Sequence, residues 1–181
     1  MYEIIDKNFI VGAIITSDPF SDSRAPDLNK VMPIELGAVK VKDGEIVDTF
    51  SSFIGKEDCI SRGIFLDEWA SARTGITDFH IMNAPKAQKV FAAFKVFVAD
   101  NKIIVRNVAD RRSLANFMLK YCGGTQNENV CIYEETLTRG NAVLAEKLKT
   151  RRWDDIFEEK GIIHTRHDSL SFCISLAQLL L

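Results

Sequence analysis

The sequence is short of several things, and each shortage removes a class of function. It has no excess of basic charge: 23 Lys and Arg stand against 25 Asp and Glu, a formal net charge of −2. A protein that works by non-specific phosphate contacts over its whole surface is usually basic, so this balance argues against that mode and leaves only a local basic pocket open. Its four cysteines, Cys59, Cys122, Cys131 and Cys173, form no Cys-x-x-Cys pair and no metal-ligand spacing. Reduced thiols are the expectation, with Cys173 a small buried hydrophobe inside an apolar helical pattern. No stretch reaches the roughly 18 uninterrupted apolar residues of a membrane span. The start, Met1 to Lys7, lacks the basic and apolar regions of a signal peptide. The expectation is a soluble, cytoplasmic protein with no membrane partner. No internal repeat, low-complexity tract or linker divides the 181 residues, so they read as a single domain, 1–181.

What is present is an ordinary globular composition, 46% hydrophobic and 27% charged. The run Phe9 to Thr16 carries no charge and ends at Ser17-Asp18-Pro19, which suits a strand buried on both faces. Ser17 to Pro33 reads as a long loop. Ile34–Val41 and Ile46–Ile54 are strand patterns around Lys42-Asp43-Gly44-Glu45, and Asp-Gly between two such runs signals a hairpin. With the first strand they make a three-stranded antiparallel meander.

Further on, the pattern predicts a short helix over 65–72 and a turn at 74–78 leading to another. An amphipathic helix over 87–99 carries Val90, Phe91, Phe94 and Val98 at helical spacing. A short strand at 102–105 follows, then a helix over 113–121 stopped by Gly123-Gly124. Val130–Tyr133 reads as a strand, and 138–149, 153–159 and 169–181 as helices, the last strongly apolar. The order implies an α/β layered domain, a mixed sheet with helices packed on its faces.

Two stretches carry most of the family signal. The hairpin Ile34 to Phe50 and the turn Thr74-Gly75-Ile76-Thr77 resemble those of DnaQ-like (DEDDh) 3′–5′ exonucleases, which have a ribonuclease H-like fold. Ala84-Pro85, Ile104-Val105-Arg106-Asn107 and the terminal Arg166-His167-Asp168-Ser169-Leu170 fall in the family's order and spacing. The resemblance covers essentially the whole chain. It implies a sheet with a meander plus parallel strands, helices on both faces, and two divalent metals held by four carboxylates beside a general-base histidine. Such metals activate water and stabilise the leaving oxygen, and they demand oxygen ligands.

Carried over residue by residue, the carboxylate positions of the first strand fall on Ala13 and Ile15. The third falls on Arg111, with Asp110 one residue away, and the last on Phe172. His167 matches the histidine. The resemblance therefore implies a pseudoenzyme with no intact catalytic set and no resident metal, its former cleft packed as core. Arg106, Arg111 and Arg112 have two readings: cations paired with nearby acids in solvent, or, with His167, an anion site that holds a phosphate it cannot cut. Asp168 is expected to cap the last helix and Glu35 to make a structural hydrogen bond. His80 and His164 are expected at the surface, and the basic run Lys149 to Trp153 at a solvated helix junction.

Three functions follow as expectations. The leading one is an inactive exonuclease-like module that binds single-stranded nucleic acid or a replication or repair protein. The second is an active 3′–5′ exonuclease, like the epsilon subunit of DNA polymerase III, with relocated ligands and a need for Mg or Mn. The third is a structural subunit that forms a homodimer.

Overall fold

The structure is a computed structural model that describes residues 7–17, 31–55, 66, 68–123, 146–148, 150–165 and 168–181. Its sheet is built on the first apolar run. Strand β1, Phe9–Thr16, pairs antiparallel with β2, Pro33–Lys42, from Phe9 opposite Val41 to Ile15 opposite Glu35. Strand β3, Glu45–Phe53, pairs antiparallel with β2 on its other side. The β2–β3 turn places Asp43 and Gly44 at φ 54° and 84°. Two left-handed residues match the twist of a tight hairpin, which is why Asp-Gly serves there. Strand β4, Ile103–Val105, adds to the free side of β1 in parallel, giving the order β3-β2-β1-β4. A mixed four-stranded sheet with β1 inside is thus the centre of the described residues, a ribonuclease H-like arrangement.

Six named helices pack around it: α1, Glu68–Thr74; α2, Asp78–Met82; α3, Ala87–Val98; α4, Val108–Cys122; α5, Trp153–Glu159; and α6, Ser169–Leu180. Side chains of a strand alternate between faces. Ile10 and Ile14 of β1 therefore join Leu36, Phe91, Phe94 and Phe117 in a core under α3 and α4. Phe9, Val11 and Ala13 join Phe157, Phe172 and Leu176 in a second core under α5 and α6. Helices cover both faces, and each fully buried Phe contributes roughly 1.5–3 kcal/mol to holding them there.

Two boundaries differ from the sequence reading. Helix α4 begins at Val108, five residues before the predicted start. Asn107 caps it by accepting a hydrogen bond from the Asp110 N–H at 2.7 Å, so a polar stretch that looks like loop is helical. Helix α1 runs two to three residues later than predicted. The predicted strand 130–133 and most of the helix 138–149 lie outside the described residues, as does most of the loop 17–33. Among the described residues no helix is long and apolar enough to cross a membrane.

Candidate nucleic-acid cleft

A cavity of about 530 Å³ opens beyond the carboxyl ends of the two parallel strands. Ala13 to Thr16 of β1 form its floor, and Arg106, directly after β4, one wall. The starts of α4, α5 and α6 contribute Asp110, Trp153 and Ser169, and Arg73 and Thr74 come from the end of α1. This is the usual ligand crevice of an α/β sheet, outside the carboxyl ends of its strands. Three of the four positions that the resemblance assigns to carboxylates line it: Ala13, Ile15 and Phe172. The cleft is therefore not packed shut. Phe172 is 6% exposed and joins the second core, yet the space in front of it remains.

Arg111 and Arg112 are exposed on α4 and are not among the residues lining the cavity. Asp110 takes the inward place instead, with its side chain 9% exposed. Arg106 reaches it across one helical turn, donating from Nη2 to Oδ1 at 3.0 Å. The same guanidinium lies over the Phe172 ring, 5.5 Å from its centroid. The other carboxylate oxygen of Asp110 is buried with no hydrogen-bond partner among the described residues. Burial pushes the Asp110 carboxyl above its ordinary value, and the Arg106 charge and hydrogen bond act in the opposite direction.

His164 departs from the surface position expected of it. Its side chain is 8% exposed, with Nε2 3.5 Å from Asp154 Oδ1, and it lines the cavity. The ring sits 5.2 Å from Phe157 and meets Phe172 edge-on at 6.0 Å. Trp153 stacks on Phe157 and also meets Phe172 edge-on, so the end of the basic run belongs to the cleft rather than to a solvated junction. No local spacing marks these residues; their burial comes from aromatic rings brought in by α5 and α6. His80 is exposed, as expected, and accepts from the Thr77 N–H. His167 lies outside the described residues. Asp168 caps α6 by accepting from the Ser171 N–H at 2.7 Å, and Glu35 accepts from Ser169 Oγ at 2.8 Å.

The described residues do not fit a catalytic divalent ion. Such an ion needs several oxygen ligands at once. Asp110 is held by Arg106, Asp168 by the backbone of α6, and Asp154 faces His164. Among the described residues no three acidic, His or Cys side chains come together to hold one.

A mixed sheet with this strand order, helices on both faces and a cleft at the strand ends defines a ribonuclease H-like nuclease fold. The chain belongs to the RNase T exonuclease family, whose model matches residues 25–180. The match begins after β1, so the strand with Ala13 and Ile15 lies ahead of it. The chain is 31% identical over 134 residues to a DNA polymerase III PolC-type of Bacillus cereus, covering 74% of this chain and 9% of that protein. It is 27% identical over 164 residues to that of Halalkalibacterium halodurans, covering 91% and 10%. The chain thus spans about a tenth of the length of these curated relatives. Among solved structures it is similar to the nuclease domain of 3′hExo, a DEDDh family member, bound to rAMP. That match has a TM-score of 0.73 at 13% identity, covering 96% of this chain and 89% of that one. It is similar also to E. coli Exonuclease I in complex with a dA16 oligonucleotide, with a TM-score of 0.72 at 13% identity, covering 96% and 40%.

Proposed function

We propose that this chain is a catalytically inactive exonuclease-fold domain that binds single-stranded nucleic acid. The observation that carries this reading is the occupancy of the cleft: Ala13, Ile15 and the core residue Phe172 stand at three ligand positions, and Asp110 is tied to a guanidinium. Removing one carboxylate from a metal site strands the charge of the others in a poorly solvated place. Here the remaining acid is paired inside the protein, which is what a cleft relieved of its metals requires. The cleft is open, at about 530 Å³, and is lined by cations and aromatic rings, the groups that hold a phosphate backbone and stack on bases. Nucleic-acid ligands in related structures, and polymerase III relatives, support single strands as the ligand and a replication protein as the setting.

The decisive measurement combines digestion and binding. A labelled single strand incubated with the protein and Mg or Mn is expected to stay full length, and to bind with an affinity that falls as salt rises. Metal-dependent shortening abolished by His167→Ala would establish the active-exonuclease reading, for which the inward position of Asp110 is the one favourable observation. A concentration-dependent dimer with no oligonucleotide binding would return the structural-subunit reading.

A further inference from the structure

The acids of the cleft are all engaged within the protein: Asp110 by Arg106, Asp168 by the start of α6, and Asp154 opposite His164. Arg106 is not used up in the same way. Arg106 spends one edge of its guanidinium on Asp110 and one face on Phe172, and its side chain is still 43% exposed. A guanidinium has five N–H donors in a planar fork, so most of them are left for the cavity side. Arg152 also lines the cavity.

We propose that Arg106 is the resident cation of this cleft, neutralising Asp110 with one edge and binding a phosphate of the ligand with the other, with no divalent ion between. The phosphate half rests on the nucleic-acid reading above. In a metal-dependent nuclease cleft, a cation must balance acidic side chains and meet the anionic substrate at the same time. Arg106 stands where it can do both from one side chain. A guanidinium is suited to the task because it stays charged and grips phosphate with two parallel hydrogen bonds. Held by Asp110 and Phe172, it also loses little further freedom on binding. Among the described residues a divalent ion has no comparable place: Asp110 already meets a positive charge, and Asp154 and Asp168 are engaged elsewhere.

The test uses the full chain and a 5′-labelled single-stranded oligonucleotide followed by fluorescence anisotropy, in EDTA and in Mn²⁺. The expected affinities agree within about twofold in the two conditions. Because Arg106→Met alone strands Asp110, the informative variant is Arg106→Met with Asp110→Asn, which removes both charges. It is expected to melt near the wild type and to bind at least about tenfold more weakly. Lys89→Met, which removes an exposed charge on α3, should stay within about twofold. A folded double variant that binds as tightly as wild type would overturn the proposal, as would tenfold tighter binding in Mn²⁺. If wild type binds no oligonucleotide in either condition, the nucleic-acid reading fails and the phosphate half with it. A Mn²⁺ titration followed by electron paramagnetic resonance then decides the rest. An undiminished free-ion signal supports Arg106 as the resident cation, and saturable loss of that signal overturns it.

Discussion

Glu35 shows how a buried acid behaves in this fold with no cation beside it among the described residues. The residue is 6% exposed, and it accepts a hydrogen bond from the Ser169 hydroxyl. Burial raises its carboxyl above the ordinary value, and the Asp168 charge adds to that, while the hydrogen bonds from Ser169 pull it back. A raised folded value favours the protonated form. The stability tied to that proton is complete below the unfolded value and is lost as pH rises through the folded one. Asp110 shifts in the same direction for the same leading cause. From these two residues the protein should therefore gain stability as pH falls through their raised folded values toward their ordinary ones. Glu35→Gln keeps an acceptor for Ser169 and removes the desolvated charge. It is expected to stabilise the protein near neutral pH by about 1 kcal/mol, or about 2–4 °C in Tm, and to flatten the pH dependence. A variant that melts below wild type near neutral pH would show that the ionised carboxylate is the form the fold requires.

Among the elements, α6 is the one on which sheet and cleft both depend, because it crosses β1 and β2 and carries Phe172 at its first turn. It approaches the sheet closely at Gly37 of β2. A Cβ there would lie 2.5 Å from Ser169 Oγ and 2.6 Å from the backbone nitrogen of Leu170. Gly37→Ala must push α6 off the sheet and should cost about 1–3 kcal/mol or more. Adding Ser169→Ala should not recover it, since the backbone contact remains. A thermal melt of both variants checks this; recovery by Ser169→Ala would mean the hydroxyl alone sets the spacing. This element was legible in the sequence as an apolar helix capped by Asp168, and the β2–β3 hairpin was legible from Asp43-Gly44 between two strand patterns. Those signals are local. The start of α4 was not legible, because Arg106 to Arg112 offers no apolar period and its helix is fixed by the Asn107 cap. Asp110 stands in the sequence only as the one-residue alternative to Arg111, without a sign of which turns inward, and the burial of His164 was not legible. These depend on which helical face meets the cleft and on Phe157 and Phe172 arriving from other elements.

At the scale of the whole molecule, the question raised by the proposed inactive reading is whether a nuclease-fold cleft can do without metals and remain open. The second core supplies the constraint. Phe172 meets Trp153, Phe157 and His164 through ring edges, so the position that the resemblance assigns to the last ligand is part of what holds α5 and α6 to the sheet. Returning a carboxylate there is a test of that dependence. Phe172→Asp removes a large buried ring and leaves a charge among aromatic groups, with no second carboxylate at Ala13 or Ile15 to share a metal. The expected cost is about 3–5 kcal/mol, roughly a 10 °C fall in Tm for a chain of this size, unchanged by added Mn²⁺. If the variant instead melted like wild type and was stabilised by Mn²⁺, the cleft would still hold the geometry of a metal site. The aromatic packing would then be filling rather than structure. The expected result has a wider consequence. Once an aromatic residue has joined the core at a ligand position, stability and metal binding pull that position in opposite directions. On the proposed reading, an acid placed at Phe172 alone would lower stability before it could support chemistry.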